Sequence, residues 1–137
     1  MKRVLLLSGL VAIAAAAPAS AAGDVRIYSS VGVGSFLVEP EKLKYTPDDF
    51  GGSQSYSLKG LEWEKWGKPK TEGAATLKSC VDGEDCFTVD ATVKASKLRR
   101  NDGDPDRYYG QLRIVFGQNA VKLGLPTRAD RSAAASA

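Results

Sequence analysis

CFTVDATVKAS, residues 86–96, alternates without a fault. Phe87, Val89, Ala91, Val93 and Ala95 fall on one face, and Thr88, Asp90, Thr92, Lys94 and Ser96 on the other. That period of two is the pattern of a half-buried strand. A helix through the same residues would set Asp90 and Lys94 beside Phe87 and Ala91, mixing charge into its apolar face. Downstream, KLRRNDGDPDR (97–107) reads as a long turn and RYYGQLRIVFG (107–117) as a second strand, with Tyr108, Gly110, Leu112, Ile114 and Phe116 turned inward. These two strands are expected to form a hairpin. Upstream, TEGAATLKSC (71–80) is a weaker strand with Ala75 and Leu77 on one face, followed by a turn over VDGED (81–85). Leu43 and Tyr45 alternate with Lys42, Lys44 and Thr46 as on another half-buried strand, and PDDFGGSQS (47–55) is a run of turn formers.

Both tryptophans lie in LKGLEWEKWG, residues 58–67. Tyr56 and Leu58 alternate with Ser55, Ser57 and Lys59, and the phase then slips at Gly60, where a bulge or bend is expected. Beyond it Leu61 and Trp63 share one face while Glu62, Glu64 and Trp66 share the other, provided the strand runs straight. Trp63 is then the core ring, Trp66 the exposed one, and the two do not stack.

Five to six strands separated by turn signals predict an all-β fold, a small antiparallel sandwich or partly open barrel. Residues 22–36 read as a leader into the domain, because VRIYSSVGVGS carries several glycines. The single β domain is expected over 37–125, with AVKLGLP (120–126) a short final strand or a packed loop. Residues 126–137 are expected to be a disordered Ala/Ser-rich tail.

The first residues speak to compartment. A basic MKR, an apolar VLLLSGLVAIAAAA and the small-x-small triplet Ala19-Ser20-Ala21 form a signal peptide over 1–21. Cleavage after Ala21 leaves 116 residues and removes Lys2 and Arg3, lowering the net charge from +3 to +1. Mixed charge of that size gives no basic patch for nucleic acid, and no later stretch is apolar enough to span a bilayer. In an exported chain Cys80 and Cys86 are read as a disulfide. A metal site is the rival reading, but two thiolates do not complete a zinc shell and the chain has no histidine.

The absence of histidine also removes Ser-His-Asp and Cys-His catalysis. Carboxylate pairs remain, of which Glu62 and Glu64, beside Trp66, are the best placed, although any acid-rich chain offers such pairs. Asp102, Asp104 and Asp106 have the spacing that begins a calcium loop. Counted from Asp102, however, the sixth position is Arg107 and the twelfth Arg113, so a loop of turn formers is expected instead. Exposed aromatic rings can stack on sugars or act as hot spots for proteins. Trp66, Tyr109, Glu62 and Glu64 are therefore the candidate binding residues, with no catalytic residue, metal or cofactor assigned.

Leu61-Glu62-Trp63-Glu64-Lys65-Trp66-Gly67, preceded by Gly60, resembles the Gly-Leu-x-Trp-x-x-Trp-Gly segment of a group of small, largely uncharacterised secreted actinobacterial β proteins. The similarity extends over residues 40–116, taking in a strand like Leu43 to Thr46, a small-residue stretch like Gly73 to Thr76, a close cysteine pair and a strand like Phe87 to Lys97. The group's cysteine pair is tighter and contains proline, whereas here Val81 to Asp85 lie between the cysteines. The resemblance implies export and a small β domain, and it carries no activity. The expected function is that of an exported, monomeric, non-catalytic domain, secreted or held in the cell envelope, which binds a protein or a cell-wall glycan. The alternatives are a small carboxylate-dependent hydrolase and a secreted inhibitor presenting the Cys80–Cys86 or Asn101–Asp106 loop.

Overall fold

The computed structural model describes residues 23–32 and 34–136, so the signal peptide read over 1–21 lies outside the described residues. The elements are β1 (Val25–Ser29), β2 (Ser35–Leu37), β3 (Leu43–Tyr45), α1 (Pro47–Phe50), β4 (Gln54–Glu64), β5 (Thr71–Val81), β6 (Asp85–Arg100), β7 (Arg107–Phe116), β8 (Asn119–Gly124) and α2 (Arg128–Ser136). Seven strands run β2-β1-β7-β6-β5-β4-β3 across one curled sheet, and β8 pairs alongside on β7. The fold is all-β and forms a half-barrel. The strands beyond the five or six expected are the short β1 and β2, while β8 is the short final strand read as one alternative for 120–126.

The long central strands set the curl. Ala75 pairs with Ala91, Leu77 with Val89, Val93 with Ile114 and Ala95 with Leu112, so the apolar faces of β5, β6 and β7 coincide. The sheet then bends far enough for β1 to meet β3. The Ser30 N–H donates to the Lys44 carbonyl at 2.7 Å, and the Lys44 N–H donates to Ser29 Oγ at 3.0 Å. Ile27, Leu43, Leu58, Leu77, Val93, Leu112 and Ile114 are fully buried within the curl. Each such side chain contributes about 1.5–3 kcal/mol of apolar burial. The phase slip at Gly60 is a bulge: the β4–β5 register shifts between Lys59 and Glu62, and Gly60 has φ 66°.

Two expected boundaries move. The leader of 22–36 contains β1, a core strand, whose Ile27 and Tyr28 are both buried and so cover opposite faces. The glycines that argued against it, Gly32 and Gly34, fall in the turn after the strand. The tail of 126–137 is also not a free coil, because α2 occupies most of it. Thr127 and Asp130 cap α2 reciprocally: the Asp130 N–H donates to Thr127 Oγ1 at 3.2 Å, and the Thr127 N–H donates to Asp130 Oδ2 at 2.9 Å.

A helix this short is marginal alone, and arginines fasten it to the sheet. Arg99 donates to the Leu125 carbonyl at 2.9 Å and pairs with Asp130 at 3.2 Å. It reaches them across β7 at Gly110, where an added Cβ would lie 2.8 Å from Arg99 Nε. Arg131 pairs with Asp49 at 3.4 Å and stacks over the Tyr28 ring at 5.0 Å, and Arg128 stands over Phe36 and Tyr108 at 5.6 and 5.7 Å. Tyr108 thus packs beneath Phe36 and Arg128, while Tyr109 and not Tyr108 joins the main core. The inward alternation expected through β7 changes step there, opposite the positive φ of Lys97 (57°) on β6.

Candidate functional site at the β5–β6 hairpin

The residues singled out in the sequence come together only in part. Strand β4 ends at Glu64, and Lys65 takes a left-handed φ of 61°, so the chain turns before Trp66. The turn swings Trp66 back onto Trp63, with centroids 4.9 Å apart, and onto Tyr109 at 5.2 Å. Trp66 is therefore a packed ring and not the exposed platform expected from a straight strand. Trp63 Nε1 donates to the Pro40 carbonyl at 2.8 Å, whereas Trp66 Nε1 is buried without a partner among the described residues. Tyr109 is fully buried, donating to the Lys68 carbonyl at 2.6 Å and accepting from the Gly67 N–H at 3.0 Å, with burial the main cause of its raised pKa. A ligand outside the protein cannot stack on it.

Glu62 and Glu64 are exposed on the outer side of β4, but they do not face one cleft. Glu62 lines an open trough with Gly60, Thr76, Asp90 and Thr92, whereas Glu64 lines another with Lys65, Lys94 and Arg113. Two carboxylates that act on one glycosidic bond must flank it, and these do not share a site.

The Asn101–Asp106 loop turns two of its three acids, Asp104 and Asp106, to the protein itself and leaves Asp102 exposed. Asp106 accepts from the Asp24 N–H at 2.8 Å and Arg26 Nε at 2.7 Å, and Arg128 lies 3.4 Å away. The Asp24 amide bond, aided by Arg26 and Arg128, holds the Asp106 pKa below its usual value against the opposing effect of burial. Asp104 accepts from the Tyr108 hydroxyl and from the Asp106 N–H at 2.9 Å, which lowers its pKa too. Burial and the Asp104 bond together push Tyr108 up to about 12. These carboxylates tie β1, β7 and α2 together. Among the described residues, no three His, Cys, Asp or Glu side chains converge as a metal site would require.

A different surface is left unfilled. Strands β5 and β6 pair from Thr71↔Ala95 to Val81↔Asp85, but β7 pairs with β6 only from Thr92 onward. The far end of the hairpin, residues 85–90, thus projects past its neighbour. Asp82 and Gly83 turn it with φ 52° and 76°, the positive values a tight hairpin turn needs, and the Glu84 N–H donates to the Val81 carbonyl at 3.0 Å. The Cys80–Cys86 disulfide crosses the two strands just behind the turn, with Cα atoms 4.0 Å apart. A disulfide is more typical of proteins outside the cytoplasm than inside it.

The projecting end carries apolar surface and charge. Phe87, on the inward face of β6, is 42% exposed because the half-barrel is open there, and Val81 beside it is 39% exposed. Phe116 reaches Phe87 with ring centroids 5.7 Å apart, and Tyr56, Val89 and Val121 are half-buried on the same open side. Asp82, Glu84, Asp85 and Asp90 surround this lip, all exposed and none in an ion pair among the described residues. The alternation of 86–96 predicted Phe87 to be inward. It carried no sign that the sheet stops short of covering it, since that depends on where β7 ends.

No family model, curated protein or solved structure matches the chain. Among the described residues no helix is long and apolar enough to cross a membrane.

Proposed function

We propose that this chain is an exported, non-catalytic β domain that binds a partner protein outside the cytoplasm through the open end of the β5–β6 hairpin. The observation that carries the reading is Phe87, a large apolar side chain on the inward face of its strand yet 42% exposed, on a hairpin pinned by Cys80–Cys86. An aromatic ring held rigid and half out of water is the kind of residue that anchors protein interfaces. The signal-peptide pattern of 1–21, the disulfide and the resemblance to small secreted actinobacterial proteins support export. The cell-wall glycan reading loses its platform, since Trp66 and Tyr109 are committed to packing. The hydrolase reading loses its paired carboxylates to separate troughs.

A photo-crosslinking amino acid in place of Phe87, introduced in the producing cells, tests this reading. The expected result is a discrete protein adduct in the envelope or medium fraction, absent when the same probe replaces the exposed Lys122. Absence of any adduct, together with retention of the protein on insoluble cell wall, would replace the protein partner with a glycan.

A further inference from the structure

Strand β6 is paired on one edge only over its first residues, and the chemistry of that bare edge narrows the partner. The Cα atoms of Cys80 and Cys86 are 4.0 Å apart, the close spacing of a pair that exchanges no backbone hydrogen bonds. In an antiparallel ladder the alternate residues then bond across, so Phe87 and Val89 use their N–H and C=O groups on Ser79 and Leu77. Cys86, Thr88 and Asp90 direct theirs to the other side. From Thr92 the same even-numbered positions meet β7, beginning with Thr92↔Val115. Before it, no backbone partner occupies that side among the described residues. Three residues thus present unpaired donors and acceptors in strand geometry at the surface, which is a template for another strand.

Natural edges are blunted by charged side chains, above all lysine, by proline or by a bulge. Asp90 is the one charged side chain in 86–90, no lysine, proline or bulge falls there, and the register with β5 is unbroken through the segment. The disulfide behind the turn holds the two strands together, so the edge is organised before anything binds. Acids outnumber bases around it, although Lys78 lies across from Thr88 on β5. Asp82, Glu84, Asp85 and Asp90 are exposed without ion-pair partners among the described residues, and Glu62 lies near Asp90 along the outer trough.

We infer that the free edge of β6, residues 86–90, accepts an extended basic segment of a partner protein as an added strand. Main-chain bonds to Cys86, Thr88 and Asp90 provide the attachment, Phe87 and Val81 meet the segment's apolar side chains, and the surrounding carboxylates select Lys or Arg on its other face. A second copy of this chain fits poorly: antiparallel pairing of two such edges brings Glu84, Asp85 and Asp90 of both chains together. The inference rests on the protein-binding reading above and specifies its mode.

The probe is a capped peptide of alternating Lys and Val about six residues long, the length of an ordinary strand, added to isotope-labelled disulfide-intact protein. The expected result is saturable shifts at the Cys86, Thr88 and Asp90 amides that weaken with salt. Substituting Glu for Lys, or N-methylating alternate peptide amides, is expected to abolish them. Thr88→Pro removes a donor from the free edge while leaving the β5 pairing intact, and is expected to weaken binding about tenfold, the effect of one lost hydrogen bond. If Thr88→Pro does not fold, the N-methylated peptide keeps the test decisive. Shifts located elsewhere, equal binding of the Glu peptide, or dimerisation of the free protein through 86–90 would overturn the inference. A partner crosslinked at Phe87 that leaves the 86–90 amides unchanged would overturn strand addition while preserving the protein-binding reading.

Discussion

Trp63 and Trp66 meet edge to face with ring centroids 4.9 Å apart, although a straight strand would place them on opposite sides. The left-handed Lys65 (φ 61°) makes the difference by turning the chain directly after β4 ends at Glu64, two residues before Trp66. Tyr109 closes the cluster from β7, so three rings seal one margin of the half-barrel and link the β4–β5 connection to the core.

The cluster predicts a contrast between two substitutions. Trp66→Ala opens a gap against Trp63 and Tyr109 and is expected to cost about 2–4 kcal/mol. Trp66→Phe keeps a ring there and removes a buried N–H that has no partner, so it is expected to change stability by less than about 1 kcal/mol. Urea denaturation separates them, and a near-neutral Trp66→Ala would return Trp66 to the surface.

Acid should loosen the attachment of α2 before it reaches the core. Asp130 is lowered first by the Thr127 amide. Asp49 is lowered, against the opposing effect of burial, by the hydrogen bond from Tyr28 and by Arg131, and Asp104 and Asp106 are lowered as described above. A depressed carboxylate contributes its full stabilisation above its ordinary value of 3.8, and that contribution is lost as pH falls below it. Melting temperature is expected to hold from neutrality to about pH 4 and then drop, with a shallower drop in Asp106→Asn. Tyr28 and Tyr108, pushed from 10.0 up to about 12 chiefly by burial, give the opposite limb. Their contribution is present below pH 10 and lost as pH rises toward 12.

The seating of α2 depends on a cap and on a missing side chain. Thr127→Ala removes the capping hydroxyl and is expected to cost about 1 kcal/mol. Gly110→Ala places a methyl against Arg99 and displaces it from Leu125 and Asp130. Both variants are expected to speed tryptic cleavage at Arg128 and Arg131 while β-sheet circular dichroism is unchanged. Unchanged cleavage would mean that the stacks on Tyr28, Phe36 and Tyr108 hold the helix without them.

Much of this frame is legible in the order of residues. The alternation of 86–96 and 107–116, the hairpin between them, the disulfide and the bulge at Gly60 all follow from local pattern, because each depends on neighbours along one or two strands. Val25 and Ile27 alternate in β1, but the glycines just beyond the strand mask the pattern. The Thr127-x-x-Asp130 signature of a helix start lies within an Ala-rich tail whose composition masks it. The candidate site was the least legible part. The roles of Trp66 and Tyr109 depend on one left-handed residue, and the exposure of Phe87 depends on β7 ending where it does, neither of which is written in any periodicity.

Opening the disulfide should act locally. Cys80→Ser with Cys86→Ser is expected to cost about 2–3 kcal/mol, as for a short closed loop. The loss should appear as faster exchange at Val81–Phe87, with Val93 and Leu112 still protected in the core. Equal loss of protection at Val93 would make the bond a requirement of the whole fold.

The β6 edge itself is read most simply by residue-resolved amide hydrogen exchange on the free, disulfide-intact protein. The expected result is an alternation in which Cys86, Thr88 and Asp90 exchange fast and Phe87 and Val89, bonded to β5, exchange slowly. Protection at all five amides would mean that the edge is already covered and would contradict a surface open to a partner strand.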